Sequence, residues 1–445
     1  MTDDLSTIID EIVSADPEQQ PQVIETVIAD QEHDNLALLL ESLPIQQRLE
    51  MWRSIPVIDR VAVLVEMRGD PRETVLDSME LSELDALFTG INAEDLIELS
   101  ESLPNRLVDR ALRAMDEQQK LYFEGAQKYA DDLAGHWVDH NLLILPVNAR
   151  VRDALRLLRR EVPEHCNLIF LVNRSGHYHS TVPINELFQA LEHDHLTDFA
   201  DPELDPLTAD LDAVVAAKLV QTSRYSSLPV IDNTEKFLGR INVSTAAAIV
   251  NEYYEAQIMA GAGLDEDEDL FSPVVKSAKN RMVWLGINLL TAFLASWFIG
   301  LFGATLQQVV ALAVLMPVVA SMGGIAGSQT LTLIIRGLAL GQVSRSNLKA
   351  LTQKELSVGA FNGLLWAIVI GVVTTYWFDS KLIGMVIAIA ILVNILAASL
   401  SGVVIPVVLD KLKLDPALSG SVILTTVTDI VGFVVFLGLG ALFLT

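Results

Sequence analysis

Hydrophobic positions follow three different rhythms along this chain, and the changes of rhythm divide it. Up to about residue 130, apolar residues recur at three- and four-residue steps, as in Leu36, Leu39, Leu40, Leu43 and then Leu49, Trp52, Ile55. That is the spacing of one helical face. Prolines at 44, 56, 71 and 104 interrupt it, which predicts short helices. The phrase Glu41-Ser42-Leu43-Pro44 returns as Glu101-Ser102-Leu103-Pro104, a repeat that suggests a small superhelical stack. From about 131 to 250 the pattern changes. A helical segment at 151–160 precedes the apolar run Leu168-Ile169-Phe170-Leu171-Val172, a turn at Asn173–Gly176 and a returning strand at 177–183. A helix at 209–222, the strand Ser227-Leu228-Pro229-Val230-Ile231-Asp232 and a strand from Phe237 to Ile241 then repeat that order. Residues 251–278 read as a linker helix, interrupted by Gly261 and Gly263. Beyond it lie five membrane-length apolar runs, near 282–303, 306–335, 356–378, 382–409 and 420–444.

Charge sharpens this division. The whole chain carries −27, yet from residue 271 onward ten bases outnumber five acids. The last 175 residues are therefore +5 and the first 270 are −32. So acidic a region does not suit nucleic acid, whose phosphates need cationic partners. It does suit solubility and divalent cations. Basic residues flank the first apolar run (Lys276, Lys279, Arg281), separate the second from the third (Arg336, Arg345, Lys349, Lys354) and separate the fourth from the fifth (Lys411, Lys413). The positive-inside rule then puts the N-terminus in the cytoplasm and the C-terminus outside. The acidic, polar N-terminus shows no signal-peptide pattern. The single cysteine, Cys166, has no intrachain partner for a disulfide, which fits a reducing compartment.

Candidate chemistry concentrates in the apolar runs. Asp429 lies within Ser421-Val-Ile-Leu-Thr-Thr-Val-Thr-Asp-Ile-Val-Gly432. A carboxylate at that depth needs water, a partner or an ion, and its default role is on a cation or proton pathway. Thr425, Thr428, Asp429 and Gly432 recur at helical spacing and form one polar stripe, and Asp429 reads as the only carboxylate deep in the membrane. Gly323, Gly324 and Gly327 allow close backbone approach, and Ser328, Gln329 and Thr330 add polar groups beside them. Asn288, Asn362 and Asn394 are polar at membrane depth, where each could hydrogen-bond across helices. Asp265, Glu266, Asp267, Glu268 and Asp269 form an acidic run before the first apolar segment, without the glycine and distal glutamate of an EF-hand. It reads either as a solvated charge run or as a divalent-cation sensor. Asp415 precedes Pro416 and reads as a turn cap or as an acid at the mouth of a pathway. No phosphate-binding loop or nucleophile motif is present, and the paired histidines His177, His179, His193 and His195 read as loop residues, so an enzyme is the least favoured reading.

Two resemblances add to this. Leu228-Pro-Val-Ile-Asp232 followed by Gly239-Arg-Ile241 resembles the core of a CBS domain, and the segment before it resembles a more degenerate first copy. CBS pairs imply a dimerising sensor and, in some cases, a bound nucleotide, although no diagnostic nucleotide-contacting motif stands out. Over its whole length the chain resembles the MgtE-type magnesium transporter-channels. The resemblance rests on Lys279-Asn-Arg-Met-Val-Trp-Leu285, on Pro317 to Gln329 continuing as Leu333-Ile-Ile-Arg-Gly-Leu338, and on Leu414-Asp-Pro-Ala417 with Asp429. It departs from the family at Ile325 and Ser328, where asparagines are usual. The family implies an acidic helical cytosolic N-domain (1–130), a tandem CBS pair (131–250), a plug-like linker helix (251–278) and a five-helix pore domain (279–445). It also implies a homodimer in a bacterial inner membrane, with two Asp429 side chains facing one axis. An inside-negative potential favours Mg2+ influx, and the −32 charge of the first 270 residues suggests closure when cytosolic Mg2+ binds the acidic domains. An ion-coupled exporter and a non-transporting Mg2+ sensor are the alternatives.

Overall fold

The computed structural model describes residues 5–16, 19–89, 91–100, 103–160, 162–163, 166–264 and 267–445. These fall into two compact units, 1–255 with 267–273, and 256–266 with 274–445.

The first unit opens with ten short helices: α1 (Leu5–Ser14), α2 (Gln20–Asp30), α3 (His33–Glu41), α4 (Ile45–Ser54), α5 (Arg60–Glu66), α6 (Gly69–Asp77), α7 (Leu81–Leu87), α8 (Ala93–Ser100), α9 (Asn105–Ala114) and α10 (Glu117–Ala126). The repeated Leu-Pro explains part of the pattern. Pro44 and Pro104 are the N-caps of α4 and α9, with extended backbone, a conformation that ends one helix and aims the next. Leu43 and Leu103, just before them, are both buried in one continuous apolar core with Leu36, Leu39, Leu40, Trp52 and Phe88. Glu101 and Ser102 of the second copy lie outside the described residues.

Two three-stranded sheets follow. In one, β1 (Leu143–Pro146) runs parallel to β2 (Leu168–Val172), which pairs antiparallel with β3 (Tyr178–Pro183). In the other, β4 (Leu207–Thr208), β5 (Ser227–Ile231) and β6 (Phe237–Asn242) repeat that arrangement. One helix precedes each hairpin, α11 (Val151–Leu158) and α12 (Ala213–Thr222). This is the tandem CBS architecture, with β1 and β4 as strands that the apolar pattern did not reveal. The Gly-Arg pair of β6 has a visible purpose. A Cβ on Gly239 would press into Val138 and the backbone of Asp139. Buried Arg240 donates through Nε to Asp139 Oδ2 at 2.8 Å, and Asn242 donates to the same oxygen at 3.0 Å.

Helix α13 (Val243–Gly261) follows β6 directly. The linker expected as one helix over 251–278 is instead the end of α13, a break, and the start of α14. Gly263, at φ +71°, turns the chain in a conformation that L side chains resist.

The second unit is helical throughout. Five helices are long and apolar enough to cross a membrane: α14 (Val274–Gly300), α16 (Val310–Ala339), α17 (Leu348–Phe378), α18 (Lys381–Lys411) and α19 (Pro416–Phe443), with the short α15 (Gly303–Gln308) between the first two. The chain is a multi-pass membrane protein. Helix α18 is the hub, packed against α16, α17 and α19. Small residues make this possible, because a Cβ on Gly402 of α18 would collide with the Gly327 carbonyl and Thr330 of α16.

Candidate ion pathway

Asp429 sits 13 residues into α19, near its middle. Its side chain is half-buried, and among the described residues it has neither a hydrogen bond nor an ion pair. The expected stripe of Thr425, Thr428, Asp429 and Gly432 is present but divided. Thr428 and Gly432 are buried in the protomer, Asp429 is half-buried and Thr425 is exposed. At about 100° per residue, the four positions span roughly 100° of the helix surface, and that arc straddles the border between the packed and open sides of α19. The threonine hydroxyls spend their hydrogens within their own helix. Thr425 donates to the Ser421 carbonyl at 2.9 Å, Thr426 to Val422 at 2.7 Å and Thr428 to Thr425 at 3.0 Å. Each hydroxyl oxygen keeps lone pairs as acceptor capacity.

Neighbouring contacts set the level of each group. Gly432 lies against Val319, Gly327 against Leu424, and Gly420 against Leu331. Helices α16 and α19 are therefore antiparallel, and Asp429 lies at the level of Met322 and Gly323, at the edge of the glycine cluster. Gly323 and Gly327 are buried, Gly324 is half-buried, and Ile325, Ser328 and Gln329 are exposed on the protomer surface. Gly323 and Gly327 thus serve packing within the protomer, whereas Ser328 and Gln329 face away from it.

Asp415 is exposed and is the N-cap of α19, accepting from Ala417 N at 2.7 Å, with Pro416 in the first turn. The structure therefore gives it a capping role.

Sequence reasoning passed over one group and under-read another. Glu355 immediately precedes the apolar run near 356–378, yet α17 begins at Leu348 and buries it. Its carboxylate meets Lys354 Nζ at 2.5 Å and accepts from Thr330 Oγ1 of α16 at 3.2 Å. Asp429 is therefore not the only carboxylate buried among these helices. A signal existed: Glu355, Gly359, Gly363, Ala367, Gly371 and Thr374 form one continuous buried face. The asparagines also differ. Asn288 donates to Trp284 of its own helix at 3.0 Å and Asn362 is exposed, but Asn394 is fully buried and donates to the Val319 carbonyl at 2.9 Å.

The acidic run divides in a way neither expectation anticipated. Asp265 and Glu266 lie outside the described residues. Asp267 is exposed, while Glu268 and the Asp269 side chain are buried in the first unit. Asp269 pairs with fully buried Arg48 at 2.5 Å. Arg48 also donates to the carbonyls of Leu40, Glu41 and Leu43. Asp269 accepts from Phe271 N, and Ser272 donates to Asp70 at 2.5 Å. A guanidinium thus holds the place a sensor cation would take at Asp269. Among the described residues, no three His, Cys, Asp or Glu side chains converge as a metal site.

Burial raises the pKa of several acids of the helical region. Burial, with Glu94 and Glu98 nearby, pushes Asp95 up to about 6. Burial, with Asp34 and Glu98, raises Glu66, and burial raises Glu41. Beside β3 a cavity of about 810 Å³ opens past Cys166 to Arg224 and Tyr225. Arg224 and the Tyr225 hydroxyl both bond Asp201. The Tyr225 hydroxyl first, then Glu203 N and Arg224, holds the Asp201 carboxyl below its usual range against a partial opposing effect of burial. Glu186, Asp198 and Asp201 outnumber Arg224 in the lining, a balance that repels a free polyphosphate.

Comparison with known proteins places these features. The model of a divalent cation transporter family, MgtE, matches residues 316–439, and the model of the MgtE intracellular N domain matches residues 31–132. A magnesium transporter MgtE of Bacillus subtilis is 24% identical over 425 residues, 94% of this chain and 93% of that protein. One of Thermus thermophilus is 26% identical over 427 residues, 89% of this chain and 94% of that protein. A solved cystathionine beta-synthase pair domain from Shewanella oneidensis is 34% identical, with 38% of this chain and 98% of that chain covered and a TM-score of 0.33.

Proposed function

The chain belongs to the MgtE family of divalent cation transporters, and from that premise we propose that it carries Mg2+ across a membrane along a pathway centred on Asp429. The supporting observation is a carboxylate at mid-helix with no cationic side chain paired to it among the described residues. Magnesium sheds water reluctantly and prefers octahedral oxygen coordination. A single carboxylate suits a hydrated ion, which it attracts through the retained water shell. Thr425 offers an exposed hydroxyl one turn away as an acceptor.

Direction follows from charge. With the N-terminus cytoplasmic, an inside-negative potential favours entry of a divalent ion by about 4.6 kcal/mol per 100 mV. The membrane is the cytoplasmic membrane of a bacterial cell. Two protomers form the pathway, bringing together two copies of Asp429, and the exposed Ser328 and Gln329 support an assembly beyond one protomer. Asp415 adds negative charge at the cytoplasmic mouth.

Gating rests on the crowded acids around Asp95 and Glu66. Burial first, and then the charges of neighbouring acids, raises the pKa of both, and cytosolic Mg2+ relieves the part that is repulsion. Binding there closes the pathway.

One experiment tests transport and gating together. Purified protein in liposomes is assayed for Mg2+ uptake, wild type against Asp429→Ala at matched incorporation, with internal Mg2+ set low or millimolar. We expect uptake at low internal Mg2+, inhibition at millimolar, and loss in Asp429→Ala. Equal uptake by both proteins would remove Asp429 from the pathway. Uptake indifferent to internal Mg2+ would remove the gate.

A further inference from the structure

Of Asn288, Asn362 and Asn394, it is Asn394 whose side chain is seen to join two helices. It lies on the hub helix α18, is fully buried, and donates from Nδ2 to the Val319 carbonyl of α16 at 2.9 Å. Its Oδ1 has no hydrogen-bond partner among the described residues. Two glycines from two other helices make room for it, since a Cβ on either Gly323 of α16 or Gly432 of α19 would collide with the carboxamide. An apolar side chain would fill the same space without leaving an oxygen unpaired. The amide is therefore a directional element between three helices, and its direction is set by the bond to α16.

Gly432 follows Asp429 by three residues, nearly one turn of α19. Rotating α19 by one residue, about 100°, would carry a Cβ-bearing neighbour of Gly432 toward the carboxamide and turn Asp429 away from its border position. We propose that Asn394 is a positioning residue for the ion pathway: wedged between Gly323 and Gly432, it fixes the rotation of α19 and hence the direction of Asp429. The proposal rests on the reading of Asp429 as the pathway carboxylate, but its geometric part can be measured without transport.

Cys166 is the only cysteine, so Cys166→Ser gives a thiol-free background. In that background Asp429→Cys reports accessibility to a charged, water-soluble thiosulfonate reagent. Two changes are compared with the parent: Asn394→Leu, which keeps volume and removes the amide, and Gly432→Ala, which keeps the amide and removes its space. Each should slow modification of the reporter thiol by about tenfold, because a thiol turned from the border toward packed neighbours meets the reagent less often. With Asp429 restored, both should shift the ratio of Mg2+ to Co2+ uptake by about fivefold. A general loss of folded protein would scale both ions equally. If Asn394→Leu or Gly432→Ala gives no folded protein by size exclusion, Asn394→Ser takes its place with the same expectation. Unchanged thiol rates in the folded variants would overturn the proposal. An inactive wild type would overturn the transport reading, while the thiol rates would still decide the position of α19.

Discussion

Two aspartates, Asp269 and Asp429, show how differently the two units treat a carboxylate removed from water. Asp269 is buried in the first unit and fully answered, with Arg48 on one oxygen and Phe271 N on the other. Asp429 is half-buried in the second unit and has no partner among the described residues. Buried charge costs several kcal/mol per ion unless paired. A paired carboxylate is a fixed part of the structure, while an unpaired one retains its attraction for a mobile cation. Paired buried charge recurs in the first unit, in Arg240 with Asp139. In the second unit Glu355 takes the paired form and Asp429 does not.

The strongest way to break this contrast is to give Asp429 a partner. Thr425→Lys places an ammonium one helical turn away, within i,i+4 reach. Uptake of Mg2+ into liposomes should fall by about 100-fold, the range in which a misplaced or cancelled functional group acts. Retained uptake would show that an unpaired Asp429 is not what the pathway uses. The converse change takes the partner from Asp269. Arg48→Ala should cost about 3–5 kcal/mol, because it strands a buried charge. Arg48→Met with Asp269→Leu should recover most of that. Denaturation of the full chain in detergent measures both, and equal losses in single and double variants would show that Arg48 matters for packing rather than for charge. A smaller effect is expected at Glu355. Glu355→Gln keeps an acceptor for Thr330 and loses the ion pair with partly exposed Lys354, so the melting temperature should fall by the equivalent of about 1 kcal/mol. A larger fall in Asp429→Asn would reverse the contrast.

The smallest effect concerns Asp95. Its folded pKa is raised, so protonated Asp95 favours the folded state. That advantage is complete below the usual carboxylate value and is lost as pH rises through about 6. Asp95→Asn should therefore raise the melting temperature slightly at pH 7 and leave it unchanged near pH 4. Millimolar Mg2+ should shrink the pH 7 difference. A difference that persists at pH 4 would trace the gain to something other than charge.

Much of this architecture was legible because periodicity survives in a single sequence. The membrane helices stood out as long apolar runs, and both CBS hairpins as apolar strands around a turn. Errors fell where local pattern and tertiary role diverge. Helix α17 starts eight residues before its apolar run because Lys349, Lys354 and Glu355 occupy its first turns. Strand β4 has two residues, too few for any alternation. The fate of Asp269 was not readable, because Arg48 lies 221 residues away in sequence and only the fold joins them. Asp429 was readable for the opposite reason, since an acid within an apolar run needs no knowledge of its neighbours to be conspicuous.

The lengths of α16, α17 and α18 carry a mechanical consequence. At 30 or 31 residues each is roughly 45 Å long, against about 30 Å of hydrocarbon. In α17 the excess has a definite address, since its polar first turns hold Lys349, Lys354 and Glu355 while the last turns are apolar and aromatic. Such a helix has an overhang at one end and a firm anchor at the other. Thinning or thickening of the bilayer then acts on it as on a lever with one hinged end, and changes its inclination before it changes its depth.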